Sequence, residues 1–243
     1  MNAFKYVGEE LDIFEQAHCW KSYWSSVIAR YLTGDVLEVG AGIGANVPYL
    51  IKPAVRSLTF LEPDGKLLAR LRSRSPASDC HLPSQCVQGT LEAIHPAKRF
   101  GAIVYVDVLE HIEDDYSEVQ RAETFLSAGG HLIVIGPAHE FLYSEFDRSI
   151  GHFRRYTRES MTRLTPAHSD LVDFRYLDSI GLMASLANVL LMRQALPTAK
   201  QIRFWDRILV RSSRLADPLL RYSLGKSALA VWRRRQLENI PDH

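Results

Sequence analysis

Cysteine is scarce in this chain. The three present, Cys19, Cys80 and Cys86, are odd in number and lack the paired spacing of a metal-binding knuckle. A disulfide framework is therefore not expected, and the three read as reduced thiols of a cytoplasmic protein. Surplus charge is missing as well. Lys and Arg total 29 against 28 Asp and Glu, a net charge of +1, which argues against nucleic acid as a partner. There is no long apolar run. The longest, Ile180 to Met192, is interrupted by Ser185 and Asn188 and falls short of the about 20 residues that cross a bilayer. Met1 is followed by a polar segment, not a basic and then an apolar one, so no secretory leader is expected. Internal repeats and low-complexity segments are absent.

What is present is enough to fill a core: 47% of the 243 residues are apolar. The charge is balanced overall but not locally. Lys200 to His243 carries ten basic and four acidic residues, a net +6, which leaves −5 for the remainder. Such a basic stretch is either a solvated helix face or a surface that meets anions.

Two kinds of segment alternate. Short β-branched or aromatic runs at Asp35–Val39, Ser57–Leu61, Cys86–Gln88, Ala102–Val106, His131–Ile135, Val172–Tyr176 and Ala228–Val231 read as strands. Helical patterns lie between them at Gly65–Arg74, Tyr116–Leu126 and Thr157–Leu164. This alternation predicts an α/β fold, a mostly parallel sheet with helices on both faces. Ligands of such sheets bind at the carboxyl ends of the strands, where the strand order reverses. Ahead of the first strand, Tyr6 to Leu32 carries an apolar stripe of Phe14, Ala17, Trp20, Tyr23, Trp24 and Ile28. It is either a helix packed on the core or a lid over the site.

The most informative stretch is Glu38-Val39-Gly40-Ala41-Gly42-Ile43-Gly44. A strand that breaks into glycines lets the backbone touch a ligand. The spacing G-x-G-x-G is neither the dinucleotide fingerprint nor a P-loop. Twenty residues after Gly42, Glu62 ends the next strand, where a carboxylate can accept both hydroxyls of a ribose. A buried strand then runs out into Asp107-Val108-Leu109-Glu110-His111. Finally, Gly129-Gly130 reads as a glycine turn leading into another buried strand, His131-Leu132-Ile133.

In this order the four motifs resemble the class I S-adenosylmethionine-dependent methyltransferases, strongly over Val36 to Ile135. The resemblance implies a Rossmann-like seven-stranded sheet whose antiparallel strand is the last, Ala228–Val231. It implies S-adenosylmethionine as cofactor. Glu38, Gly40, Ala41, Gly42, Gly44 and Asn46 would shape the turn against its methionine part. Glu62 would hold the ribose and Pro63 would pack on the adenine. Gly89, Thr90 and Leu91 would line the adenine pocket. Asp107, Val108 and His111 would border the amino-acid end. The expected organisation is one methyltransferase-like domain: a helical cap over 1–33, a cofactor-binding half over 34–136, and a substrate-side half over 137–243 with a helical insert at 181–224.

The crossover from Pro137 to Thr157 resembles a segment of one bacterial subgroup, S-x-F-D-x-x-I-G-H-x-R-R-Y-T. His139, closest to the strand end, is either a base or a histidine bonding a loop carbonyl. His152 either touches substrate or pairs with Asp147. Arg154, Arg155 and Tyr156 either bind an anionic acceptor or clamp the loop. Tyr176 either walls the sulfonium end or packs in the core. No metal is expected. In the insert, Arg203, Arg207, Arg211 and Arg214 share one face. That face suits burial against the sheet, a homodimer contact, or a membrane surface bearing a lipid-linked substrate. The expected activity is methyl transfer to a small-molecule acceptor. The alternatives are attack on another sulfonium carbon, releasing methylthioadenosine, and a non-catalytic cofactor-binding module.

Overall fold

In the computed structural model, residues 11–74, 82–191 and 198–236 are described, with the backbone alone for 188–191. Cys80 and the start of the predicted Tyr6–Leu32 helix lie outside the described residues, as do 192–197 of the insert.

All seven predicted runs are strands, most of them longer than their apolar centres: β1 Gly34–Val39, β2 Val55–Glu62, β3 Ser84–Gln88, β4 Phe100–Val106, β5 Leu126–Pro137, β6 Ser169–Leu177 and β7 Ser227–Arg234. The sheet order is β3-β2-β1-β4-β5-β7-β6, parallel except for β7, which runs antiparallel to both neighbours. The order reverses between β1 and β4. Their carboxyl ends, Val39 and Val106, therefore mark the crevice where a ligand belongs.

Successive strand residues point to opposite faces, and both faces are buried. Val36, Ala102, Val104, Ile133 and Val231 pack on one side. Leu37, Ile103, Tyr105, Val134 and Trp232 pack on the other. The first side is covered by α1 Leu11–Phe14, α2 His18–Ile28, α3 Val47–Leu50 and α4 Gly65–Ser73. The second is covered by α5 Asp115–Thr124 and α7 Arg158–Arg163, with α6 Glu145–Ser149 in the crossover before α7. The predicted helix to Leu126 stops two residues sooner because Leu126 already belongs to β5. Gly129-Gly130 is not a turn but an irregularity inside that strand, with Gly129 at φ +75°. Thr157 opens α7 with a full capping box: its hydroxyl accepts from Ser160 N–H, and Ser160 Oγ accepts from Thr157 N–H.

The insert is α8 Ser179–Leu191 and then one continuous run, α9 Ala199–Phe204, a π-helical stretch Trp205–Val210, and α10 Arg211–Leu219. The run is tied down by buried carboxylates. Asp178 accepts from Trp205 Nε1 (2.6 Å) and Ser213 Oγ (2.7 Å), and Asp217 accepts from Tyr23 Oη (2.6 Å). Asp206 accepts the backbone N–H groups of Cys19 and Trp20 at the start of α2, at 3.1 and 2.8 Å. Cap and insert therefore form one roof. Arg203, Arg207, Arg211 and Arg214 are exposed, and so are Phe204, Ile208, Leu215 and Leu219 beside them. Among the described residues no helix is long and apolar enough to cross a membrane.

Candidate active site

A cavity of about 1690 Å³ opens at the β1/β4 crevice. That exceeds the usual span of a single-ligand pocket and leaves room for a cofactor and an acceptor together. Its floor is the glycine loop after β1. Gly40, Gly42 and Gly44 all have positive φ, at +69°, +54° and +79°. They are glycine for different reasons. A Cβ on Gly40 would sit 2.6 Å from Val108 Cγ2, and one on Gly44 would sit 2.3 Å from Leu71 Cδ1. A Cβ on Gly42 would meet nothing closer than Leu11 Cδ1 at 3.9 Å. Gly40 and Gly42 both line the cavity, but of the three only Gly42 has space for an added Cβ. The following helix α3 is a single turn, so the loop's own amides, not a helix dipole, are what a ligand meets.

Glu62 closes the other side of this floor. Its Oε2 accepts Gly42 N–H and its Oε1 accepts Asp64 N–H, both at 2.8 Å. Burial pushes its carboxyl up, while those two bonds oppose the shift. A carboxylate has about four lone-pair sites, so each oxygen keeps one, and Glu62 lines the cavity with Pro63, Gly89 and Thr90. These residues fit an adenosine: open backbone at Gly42, a bidentate acceptor at Glu62, and an apolar ring at Pro63. Leu91 does not join them. It is fully buried in the core on the α5 side, because its short 3₁₀ turn points it inward. Glu38 and Gly44 do not line the cavity either.

Glu38 instead supports the loop from beneath. Asn46 lines the cavity and donates through Nδ2 to Glu38 Oε1 at 2.9 Å. Burial pushes the Glu38 carboxyl up to about 8, with the Asn46 bond opposing and Glu62 adding to the shift. The folded state thus holds a proton that the unfolded chain releases near the ordinary value of 4.5. Its stabilising effect is complete below pH 4.5 and is lost as pH rises through about 8. Glu38→Gln is expected to remove this loss. Its melting temperature relative to the parent should rise between pH 5 and pH 9 in paired thermal scans, and a constant difference across that range would refute the assignment.

Asp107 sits at the end of β4 with φ +53° and its N–H on Ile135 O. It is accessible to solvent within the cavity walls, as Val108 partly is. Beyond it lies a polar end. His111 and His152 meet edge to face with ring centres 4.5 Å apart. Burial, and then the field of His152, lower His111 to about 4. His152 Nδ1 lies 2.9 Å from Asp147 Oδ1. Arg155 grips Asp147 through Nε and Nη2, both at 2.9 Å. Burial works against ionising Asp147, but the bonds from His152 and Arg155 hold its carboxyl well below the ordinary range. The loop-clamp reading of Arg155 and the Asp147 partner of His152 are thus both present in the geometry. Arg154 instead pairs with Asp115 at 2.5 Å.

His139 and Tyr176 do not reach the cavity. His139 has φ +66°, which turns its ring back onto Tyr176 at 4.7 Å, and its Nε2 bonds Gly225 O at 3.0 Å. Tyr176 Oη accepts Arg158 N–H. Of the three residues expected to be catalytic, only His152 lines the cavity.

Several lining groups were not singled out from the sequence. Glu110 was quoted only as part of a motif. Lys226 sits over the Trp205 ring at 4.6 Å, and Lys21, lowered by burial to about 8, donates to Phe14 O and Glu15 O. The roof is apolar, with Leu11, Phe14, Trp20, Trp24 and Trp205 facing inward.

Residues 37–134 match the family model described as a methyltransferase domain. Among solved structures, a putative methyltransferase from Bacillus halodurans shares 16% identity over 88% of this chain and 97% of that one, with a TM-score of 0.58. Coclaurine N-methyltransferase, solved with N-methylheliamine and SAH, shares 13% over 96% and 76%, with a TM-score of 0.58. The [4+2]-cyclase SpnF shares 14% over 95% of each chain, with a TM-score of 0.62. No curated protein matches by sequence. These likenesses show the fold, and the segment that carries the glycine loop, Glu62 and Asp107 matches the methyltransferase-domain model, which supports an S-adenosylmethionine-dependent transferase.

Proposed function

We propose that this enzyme methylates a small-molecule acceptor that has an apolar portion. The observation that carries the reading is the two-ended cavity: a cofactor floor at Gly42 and Glu62, and an apolar roof larger than the cofactor needs. When bound, S-adenosylmethionine supplies an electrophilic methyl group, which the acceptor lone pair takes as the C–S bond breaks and its electron pair returns to sulfur. The chain's residues bind and align. Glu62 accepts the ribose hydroxyls, Pro63 with Gly89 and Thr90 bounds the adenine, and Asp107 and Val108 border the amino-acid end. The aromatic roof excludes water, and in-line displacement then needs mainly alignment. His152 and His111 stand at the acceptor end.

Lys200, Ile202 and Phe204 of α9 form part of the cavity rim, and the arginines and exposed apolar side chains of that helical run adjoin it. This arrangement suits an amphiphilic acceptor presented at an anionic lipid surface. One experiment tests both parts. The purified enzyme is incubated with methyl-labelled cofactor and a lipid extract. The expected products are S-adenosylhomocysteine by mass spectrometry and label in the organic phase. Methylthioadenosine would overturn the methyl-transfer reading, and label confined to water-soluble product would overturn the apolar acceptor.

A further inference from the structure

We propose that Glu110, His111 and His152 are the ligands of a divalent transition-metal ion at the acceptor end of the cavity. One ligand atom from each lies within 4.8 Å of the others, and all three residues line the cavity. Glu110 is fully buried, and neither of its carboxylate oxygens has a hydrogen-bond partner among the described residues. A buried carboxylate with empty lone pairs is costly and calls for a cation or donor. Across the gap His152 Nε2 lies 3.8 Å from Glu110 Oε1, too far for a hydrogen bond.

The outer contacts are those of a metal-bound histidine. His152 Nδ1 faces Asp147, which fixes the tautomer that leaves the Nε2 lone pair toward Glu110. Asp147 is itself held by Arg155 and by the N–H and hydroxyl of Ser144. The neighbouring cations are engaged elsewhere: Lys21 on the carbonyls of Phe14 and Glu15, Lys226 over Trp205. Their fields reach Asp107 and, from Lys226, Asp147, but neither lysine hydrogen-bonds Glu110. Ligands about 2.1 Å from an ion stand roughly 3 to 3.5 Å apart, so the Glu110–His152 pair needs a contraction of several tenths of an ångström and the set as a whole at most about 1 to 2 Å, within reach of side-chain rotation. Two imidazoles and one carboxylate suit Zn²⁺, Fe²⁺ or Co²⁺, not Mg²⁺ or Ca²⁺. Three protein ligands leave open positions facing the cavity. The ion's role rests on the methyl-transfer reading. The ion would bind an acceptor hydroxyl and ease loss of its proton to water; the oxygen lone pair would then form the bond to the methyl carbon as the C–S bond breaks and its electron pair returns to sulfur.

The test uses chelator-treated full-length enzyme without cofactor. Titration with Co²⁺ is expected to give one ion per chain with visible absorption bands, and X-ray absorption of the Zn²⁺ form is expected to show two imidazole nitrogens and oxygen. His152→Ala should weaken Co²⁺ binding by about 100-fold, and Asp147→Asn by about 10-fold. No binding by the parent, a sulfur-containing shell, or undiminished binding in His152→Ala would overturn the proposal. Wild-type Zn²⁺ spectroscopy decides the matter even where a variant fails to fold. If metal binding fails while S-adenosylhomocysteine is still formed, the metal site alone falls. If the ion binds and no S-adenosylhomocysteine forms, the methyl-transfer reading falls instead.

Discussion

Glu62→Ala is expected to weaken S-adenosylmethionine binding by roughly 100-fold or more. The carboxylate has two functions at once. In the proposed cofactor site it would accept both ribose hydroxyls, and it holds Gly42 and Asp64 in place through their N–H groups. Hydrogen bonds to a charged acceptor contribute about 1.5–3 kcal/mol each. Losing two to the ribose removes about 3 kcal/mol or more, a factor of at least about 100 in affinity. Leaving two buried N–H groups without partners adds a stability loss of about 1–3 kcal/mol per group. Calorimetric titration measures the first effect and denaturant unfolding the second. Binding that survives at parental strength would remove Glu62 from the ribose site. Lost stability with intact binding would leave it only as a brace.

The glycine loop supplies the second large effect, and it separates two roles within three residues. Gly40→Ala is expected to destabilise the fold by about 2–5 kcal/mol, since overpacking costs about 1–3 kcal/mol and an alanine in the left-handed region about 1–2 kcal/mol. Its methyl would lie 2.6 and 2.8 Å from the two Val108 methyls. Gly42→Ala meets no atom within 3.8 Å and should cost only the conformational part, about 1–2 kcal/mol. Its methyl, however, enters the cavity, where the proposed cofactor would contact the backbone. Cofactor affinity should fall at least tenfold in Gly42→Ala. Equal melting temperatures for the two variants, or undiminished binding in Gly42→Ala, would contradict this division.

Much of this was legible in the sequence, for identifiable reasons. The inner strands announced themselves because their centres are buried on both faces, which demands an unbroken apolar run such as Ala102 to Val106, whereas the edge strands β3 and β6 are only half-buried. Glu62 and Gly42 were legible because a turn and a strand end are local features, and the sheet register brings them together. The ends of β5 were not, because Gly129-Gly130 reads as a turn although a strand can absorb it as an irregularity. The direction of a side chain was not legible either. His139 stands next to the end of β5, yet a single positive φ aims its ring away from the cavity. Leu91 follows two cavity residues and turns inward. Glu110 was hidden in a motif whose neighbours attract attention, and its relation to His152, 42 positions later, exists only once the crossover folds back over β4.

The placement of β7 has a consequence for how the chain matures. Because β7 is inserted between β5 and β6, the penultimate strand emerges from the ribosome with no partner to zip against. A nascent chain halted before Ser227 exposes an unpaired β5 edge and an orphan β6, both open to promiscuous pairing. Assembly of this half of the sheet thus waits for a segment of eight residues, and chaperone dependence during synthesis should concentrate in the interval before those residues appear.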